Sequence, residues 1–195
     1  MLLISFALFL GWVSEDSLWA VLGTMGASQA GLNDAQIGLV LSGSTAGGVL
    51  ASLFMTAIGN RLGRTEPLIV LVLLGSALKF VIPHLGDSAG FMVTVIIWNT
   101  IYALVFAYVS VVAAALDRSG RWSAPLTGVY LVGSALAPFA GTFITEQFGF
   151  VLFGTVISLT SSLVIIPFSI AARRSAQQFQ PIIQGAESLV AKEVV

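Results

Sequence analysis

The chain has 195 residues, 57% of them hydrophobic and 9% charged, with a formal net charge of −1 and no cysteine. Soluble domains carry about a quarter charged residues, so this composition excludes an ordinary soluble domain. The missing thiols exclude disulfides, thiolate metal sites and cysteine nucleophiles. Near-zero charge gives no electrostatic footprint for nucleic acid, the one histidine leaves little material for a metal site, and no cofactor is expected.

A helix needs about 20 apolar residues to cross the hydrocarbon of a bilayer. The chain divides into runs of that kind at 2–25, 35–58, 67–84, 90–115, 123–146 and 149–172. The reading is an all-α polytopic membrane protein of six transmembrane helices. They form a single bundle over 1–174, set in a lipid bilayer and followed by a polar tail over 175–195 that is expected to be disordered.

The first run carries Glu15 and Asp16 near its middle, where an ionised carboxylate costs a few kcal/mol on insertion scales. They are expected to face a water-filled cavity or a partner, and one of them to bind and release a proton. Trp12, Glu15 and Trp19 at i, i+3 and i+7 set the acid on one face with two aromatics, as in a pocket for an organic solute; a helix-packing hydrogen bond is the other reading. Gly31-Leu32-Asn33-Asp34 has turn and cap chemistry. In the second run Gly43, Gly47 and Gly48 form a GxxxG pattern, which marks close helix approach. The loop from Gly59 to Thr65 is short and basic, and Pro67 suits the first turn of the next helix.

Lys79 lies about one turn from the far end of the third run and is expected to snorkel to the outer interface, with an ion-pairing or transport role as the alternative. Pro83 to Asp87 reads as a turn. The fourth run holds Asn99 and Tyr102, with Tyr108 further along; these polar groups need partners, which a solute path or a neighbouring helix would supply. A charged loop, Asp117 to Trp122, leads to the fifth run. There Thr127, Tyr130 and Ser134 make a stripe whose hydroxyls are expected to bond their own helix. Gly133, Ala137 and Gly141 repeat the small-residue pattern, and Pro138 is expected to bend the helix. Phe148-Gly149 joins the last two runs tightly.

Seven of the eight Lys and Arg residues fall on one side of this topology. The positive-inside rule puts that side, with both termini, in the cytoplasm. Met1 leads straight into Leu2-Leu3-Ile4 with no basic anchor and no cleavage site, which reads as a chain cut from a longer one.

Ile58-Gly59-Asn60-Arg61-Leu62-Gly63-Arg64 resembles the cytoplasmic signature G-x-x-x-D-R-x-G-R-R of the major facilitator superfamily. Arg61, Gly63 and Arg64 carry the match. Thr56, Asn60 and Thr65 depart from it, in the manner of the copy in the second half of such transporters. Residues 31–38 and 116–122 resemble loops of bacterial members. The resemblance implies one six-helix half with a 3+3 inverted repeat, in a bacterial inner membrane, with solute held near the midplane between two halves. It implies that the first and fourth helices line the cavity, with Glu15 and Asn99 on it, while the third and sixth face lipid. It also implies a second six-helix half as partner, from the same longer chain or another protomer.

The expected function is therefore a secondary active transporter, or the C-terminal half of one. It would move a small organic solute by alternating access, proton-coupled through Glu15 or Asp16, with Trp12, Trp19, Asn99 and Tyr102 lining the path. A non-transporting membrane partner or assembly protein, or an inactive half, is the alternative. An enzyme is not expected: H-E-x-x-H is absent, Gly43 to Gly47 has Thr45 where a nucleophile elbow needs serine, and His84 falls in an outer loop.

Overall fold

The computed structural model describes residues 2–58, 63, 65–116 and 123–175. Arg61 and Arg64, the loop over 117–122 and the tail from 176 onward lie outside the described residues. Of the signature's matching residues only Gly63 is described, exposed and at φ 70°.

Every regular element among the described residues is helical: α1 (Leu2–Gln29), α2 (Asp34–Ile58), α3 (Thr65–Val81), a 3₁₀ turn (Ile82–His84), α4 (Ser88–Leu116) and α5 (Ser123–Leu163), with helical residues continuing over 165–175. Five helices are long and apolar enough to cross a membrane. Their ends follow from local chemistry. Gly31 at φ 65° closes α1, and the Leu32 amide turns back to the Gly26 carbonyl at 3.1 Å. Asn33 and Gln36 then form a reciprocal capping box, each side chain accepting the other's backbone N–H at 3.0 Å, and this starts α2. Asp87 starts α4 by accepting the Gly90 amide at 2.6 Å.

In α5 the departure from helical dihedrals falls at Gly149 (φ 81°, ψ 168°), a region open essentially to glycine alone. The expected bend at Pro138 is not where the helix breaks. Contacts along α1 explain what Gly149 does. Before it, Gly133 lies against Phe9 and Gly141 against Ser17, so numbers rise together; after it, Ser161 meets Ser14 while Val164 and Phe168 meet Gly11, so they run opposite. The chain reverses at Gly149, and the two limbs of α5 both pack on α1.

Small residues set the close approaches, because lipid supplies no hydrophobic drive between helices and backbone contact must replace it. A side chain at Gly47 would collide with Thr100 of α4, and one at Gly141 would lie 2.8 Å from the Ser17 carbonyl of α1. Ala137 is fully buried, and its carbonyl accepts the Ser17 hydroxyl at 2.8 Å. Both small-residue patterns thus do what their spacing implied, seating α2 on α4 and the first limb of α5 on α1. Helix α3 packs on α4 and on the second limb, where Ser158 donates to the Ser76 carbonyl at 2.7 Å.

Two apolar cores result. One joins Leu8, Leu68, Val112, Leu126 and Phe168; the other joins Leu22, Val40, Ile82, Phe91 and Phe153. Each helix, and each limb of α5, runs from one core to the other. The connections at 30–34, 82–88 and 149 therefore gather at one end, where Ser88 donates to the Ala30 carbonyl at 2.7 Å. Outside, Leu50, Leu53, Phe139 and Leu163 are more than half exposed, an exterior suited to acyl chains.

A candidate site in the polar layer between the cores

Between the two cores, at the middle of α1, α4 and both limbs of α5, lies a layer of polar side chains. Lys79 corrects the sequence expectation most sharply. It does not reach for the interface; it is fully buried, ion-paired with Glu15, and donates also to Ser161 and to Ser14 at 3.4 Å. All three ammonium protons thus have acceptors, as a buried lysine requires. The reason it turns inward is on α3 itself. The buried face runs Leu68, Val72, Gly75, Ser76, Lys79, spaced by three and four residues, so Lys79 belongs to the packed face and not to the lipid one.

Glu15 is completed by Trp98, whose indole Nε1 donates to its second oxygen at 3.2 Å. Ser14 donates to the Ile157 carbonyl at 2.9 Å and sits 2.9 Å from the Ser161 hydroxyl. Glu15 is therefore the anionic half of a four-helix lock. Glu15 is not among the residues that line the groove beside Asp16.

Asp16 looks elsewhere. Consecutive helical residues point about 100° apart, and Asp16 faces α4 and the first limb of α5. Tyr102 donates to one carboxylate oxygen at 3.2 Å and Ser134 to the other. The Ser134 hydroxyl thus reaches across to α1, contrary to the expectation that it would bond its own backbone. Among the described residues Asp16 has no cation within ion-pair distance.

Asp16, Trp19, Asn99 and Tyr102 line one groove of about 410 Å³, closed on its other side by Thr45, Gly48, Val49 and Ser52 of α2. Asn99 is held by its amide, which donates to the Ser44 carbonyl at 2.8 Å. Trp12 is not part of this groove. It is buried in edge contact with Tyr102, Phe106 and Tyr130, and lines a separate apolar cavity of about 260 Å³ with Leu8 and Leu126. Its indole Nε1 has no hydrogen-bond partner among the described residues. Tyr108 is buried in the core beside that cavity. Trp98, between Trp19 and Tyr102 at 6.4 and 6.2 Å, links the aromatic row along α4.

Of the six residues picked from sequence for the pathway, four share the groove, Glu15 belongs to the lock behind it, and Trp12 to the neighbouring cavity. Sequence reasoning missed Lys79, Trp98, Ser134 and Ser161 as parts of the layer. The spacing of Lys79 from Ser76 and Val72 was the signal for the first, and the stripe with Thr127 and Tyr130 was the signal for Ser134; Ser161 carries none, since serine is common in membrane helices. Among the described residues there is no group of three or more His, Asp and Glu side chains that could hold a metal ion.

No family model, no curated protein and no solved structure matches the chain. Fold and layer together define its class: an all-helical protein with five helices of membrane-spanning length and apolarity, built around a buried ion pair and a groove-facing acid.

Proposed function

We propose that the protein is a secondary active transporter, or a six-helix half of one, moving a small organic solute by alternating access with proton coupling. The observation that carries this reading is Asp16, a carboxylate without a cationic partner among the described residues, at mid-helix depth in an aromatic-walled groove. Uncompensated charge at that depth is costly and marks a solute or proton path more often than packing. Because Lys79 balances Glu15, proton coupling falls to Asp16. Trp19, Asn99 and Tyr102 shape the solute path beside it.

Six crossings are supported by the reversal at Gly149, since 51 residues from Pro125 to Ser175 exceed one span more than twofold. A 3+3 repeat is supported by the pairing of helices. Counting the limbs of α5 as the fifth and sixth helices, exchanging helices 1–3 with 4–6 turns the α1–fifth contact into the α4–α2 contact. It also pairs the Ser17 bond to Ala137 with the Asn99 bond to Ser44. That symmetry, the groove between the first and fourth helices, and the signature around Gly63 are the grounds for placing the chain with the major facilitator superfamily. On this reading both termini are cytoplasmic, the membrane is a bacterial inner membrane, and a second six-helix half covers the groove.

The test is coupled flux. Proteoliposomes holding the protein and an internal pH dye are challenged with a panel of cationic, neutral and anionic organic solutes. Solute-dependent proton movement in the wild type, abolished by Asp16→Asn, is the expected result. No coupled movement for any member of the panel would leave a membrane assembly partner as the better reading.

A further inference from the structure

We infer that the groove beside Asp16 selects small organic cations. The inference rests on the transport reading above and names its substrate class. The charge of the polar layer comes first. Glu15 is ion-paired with Lys79, and Asp16, which has no cation within ion-pair distance among the described residues, is the carboxyl group that lines the groove. Its carboxylate has about four acceptor positions, of which Tyr102 and Ser134 take two. Neither donor brings positive charge.

The other lining groups point the same way. The Thr45 hydroxyl is spent on the Leu41 carbonyl at 2.9 Å, the Ser52 hydroxyl on the Gly48 carbonyl at 3.0 Å, and the Tyr102 hydroxyl on Asp16. The Asn99 amide is anchored to the Ser44 carbonyl, which leaves its oxygen free to accept. Among the described residues that line the groove, an anion would meet no cation. A cation meets a carboxylate, an amide oxygen and the aromatic side chains of Trp19, 38% exposed, and Tyr102. Aromatic rings attract quaternary and protonated amines through their ring quadrupole. A volume of about 410 Å³ lies within the usual range for small-molecule sites.

The experiment uses the purified full chain in nanodiscs and follows tryptophan fluorescence. The probe is benzyltrimethylammonium, with neopentylbenzene, in which carbon replaces the charged nitrogen, and benzenesulfonate as controls. Saturable binding of the cation, at least tenfold weaker binding of the neutral isostere and none of the sulfonate are expected. Asp16→Asn should lose at least tenfold in cation affinity at unchanged melting temperature, and Asp16→Glu should keep most of it. Equal binding of the isostere or the sulfonate, or no saturable binding of the cation, overturns the inference. These wild-type comparisons decide the matter even if Asp16→Asn fails to fold. Coupled flux of neutral or anionic solutes without cation binding would leave the transport reading standing and remove the charge selectivity. Cation binding without coupled flux for any solute would keep the site and remove transport.

Discussion

At the scale of single residues, the separation of Glu15 from Asp16 is the central result, and it is testable through Lys79. Removing one member of a buried ion pair leaves the other charge uncompensated, at a cost of about 3–5 kcal/mol. Lys79→Met should therefore lower the melting temperature sharply, as followed by thermal unfolding in detergent. Glu15→Gln combined with Lys79→Met should recover most of the loss, because no bare charge remains. A double variant no more stable than Lys79→Met would mean that the hydrogen bonds of Lys79 to Ser14 and Ser161, and not charge balance, hold the layer together. Both acids were legible as unusual from their depth in an apolar run. Their different roles were not, since the two are adjacent in sequence and diverge only by the turn of the helix.

At the scale of helices, glycine positions separate packing from mere flexibility. A methyl group at Gly141 would press on the Ser17 carbonyl of α1, whereas one at Gly128, in the same helix, meets nothing within 4 Å. Gly141→Ala should destabilise by about 1–3 kcal/mol, the usual cost of overpacking. Gly128→Ala should be neutral or stabilising by up to about 1 kcal/mol, since alanine suits a helix better. Unfolding midpoints of the two variants measured side by side check this; a similar loss for both would remove close α1–α5 packing as the explanation. The small-residue spacing made these interfaces readable in advance, because a stripe at i, i+4 and i+8 faces one way on any helix. Which neighbour it would meet depended on how the helices assemble.

At the scale of the whole molecule, the number of crossings decides the topology, and a chain without cysteines is well suited to measure it. His84 and Arg174 are both exposed, one at the turn after α3 and the other near the end of the described chain. On the proposed six-crossing topology three crossings separate them, and a membrane-impermeant maleimide added to intact cells should label His84→Cys, and Arg174→Cys only after permeabilisation. Labelling of both from outside would mean that α4 and α5 make two crossings and that Gly149 does not turn the chain back across the membrane.

What the sequence determined by itself is the local part of the structure. Helix is forced on long apolar runs in lipid because each backbone group must bond within its own segment, and Gly31, Asn33, Asp87 and Gly149 punctuate those runs by their own chemistry. Most helix ends accordingly fell close to expectation. What only the tertiary structure decided is the direction each polar side chain takes. Lys79 turns from lipid to Glu15, Ser134 reaches Asp16 across 118 positions, and Trp12 leaves the groove for a cavity of its own. These outcomes depend on the rotation of each helix about its axis, and that rotation is fixed by the close contacts of glycine and alanine on neighbouring helices. No window of sequence contains both sides of such a contact.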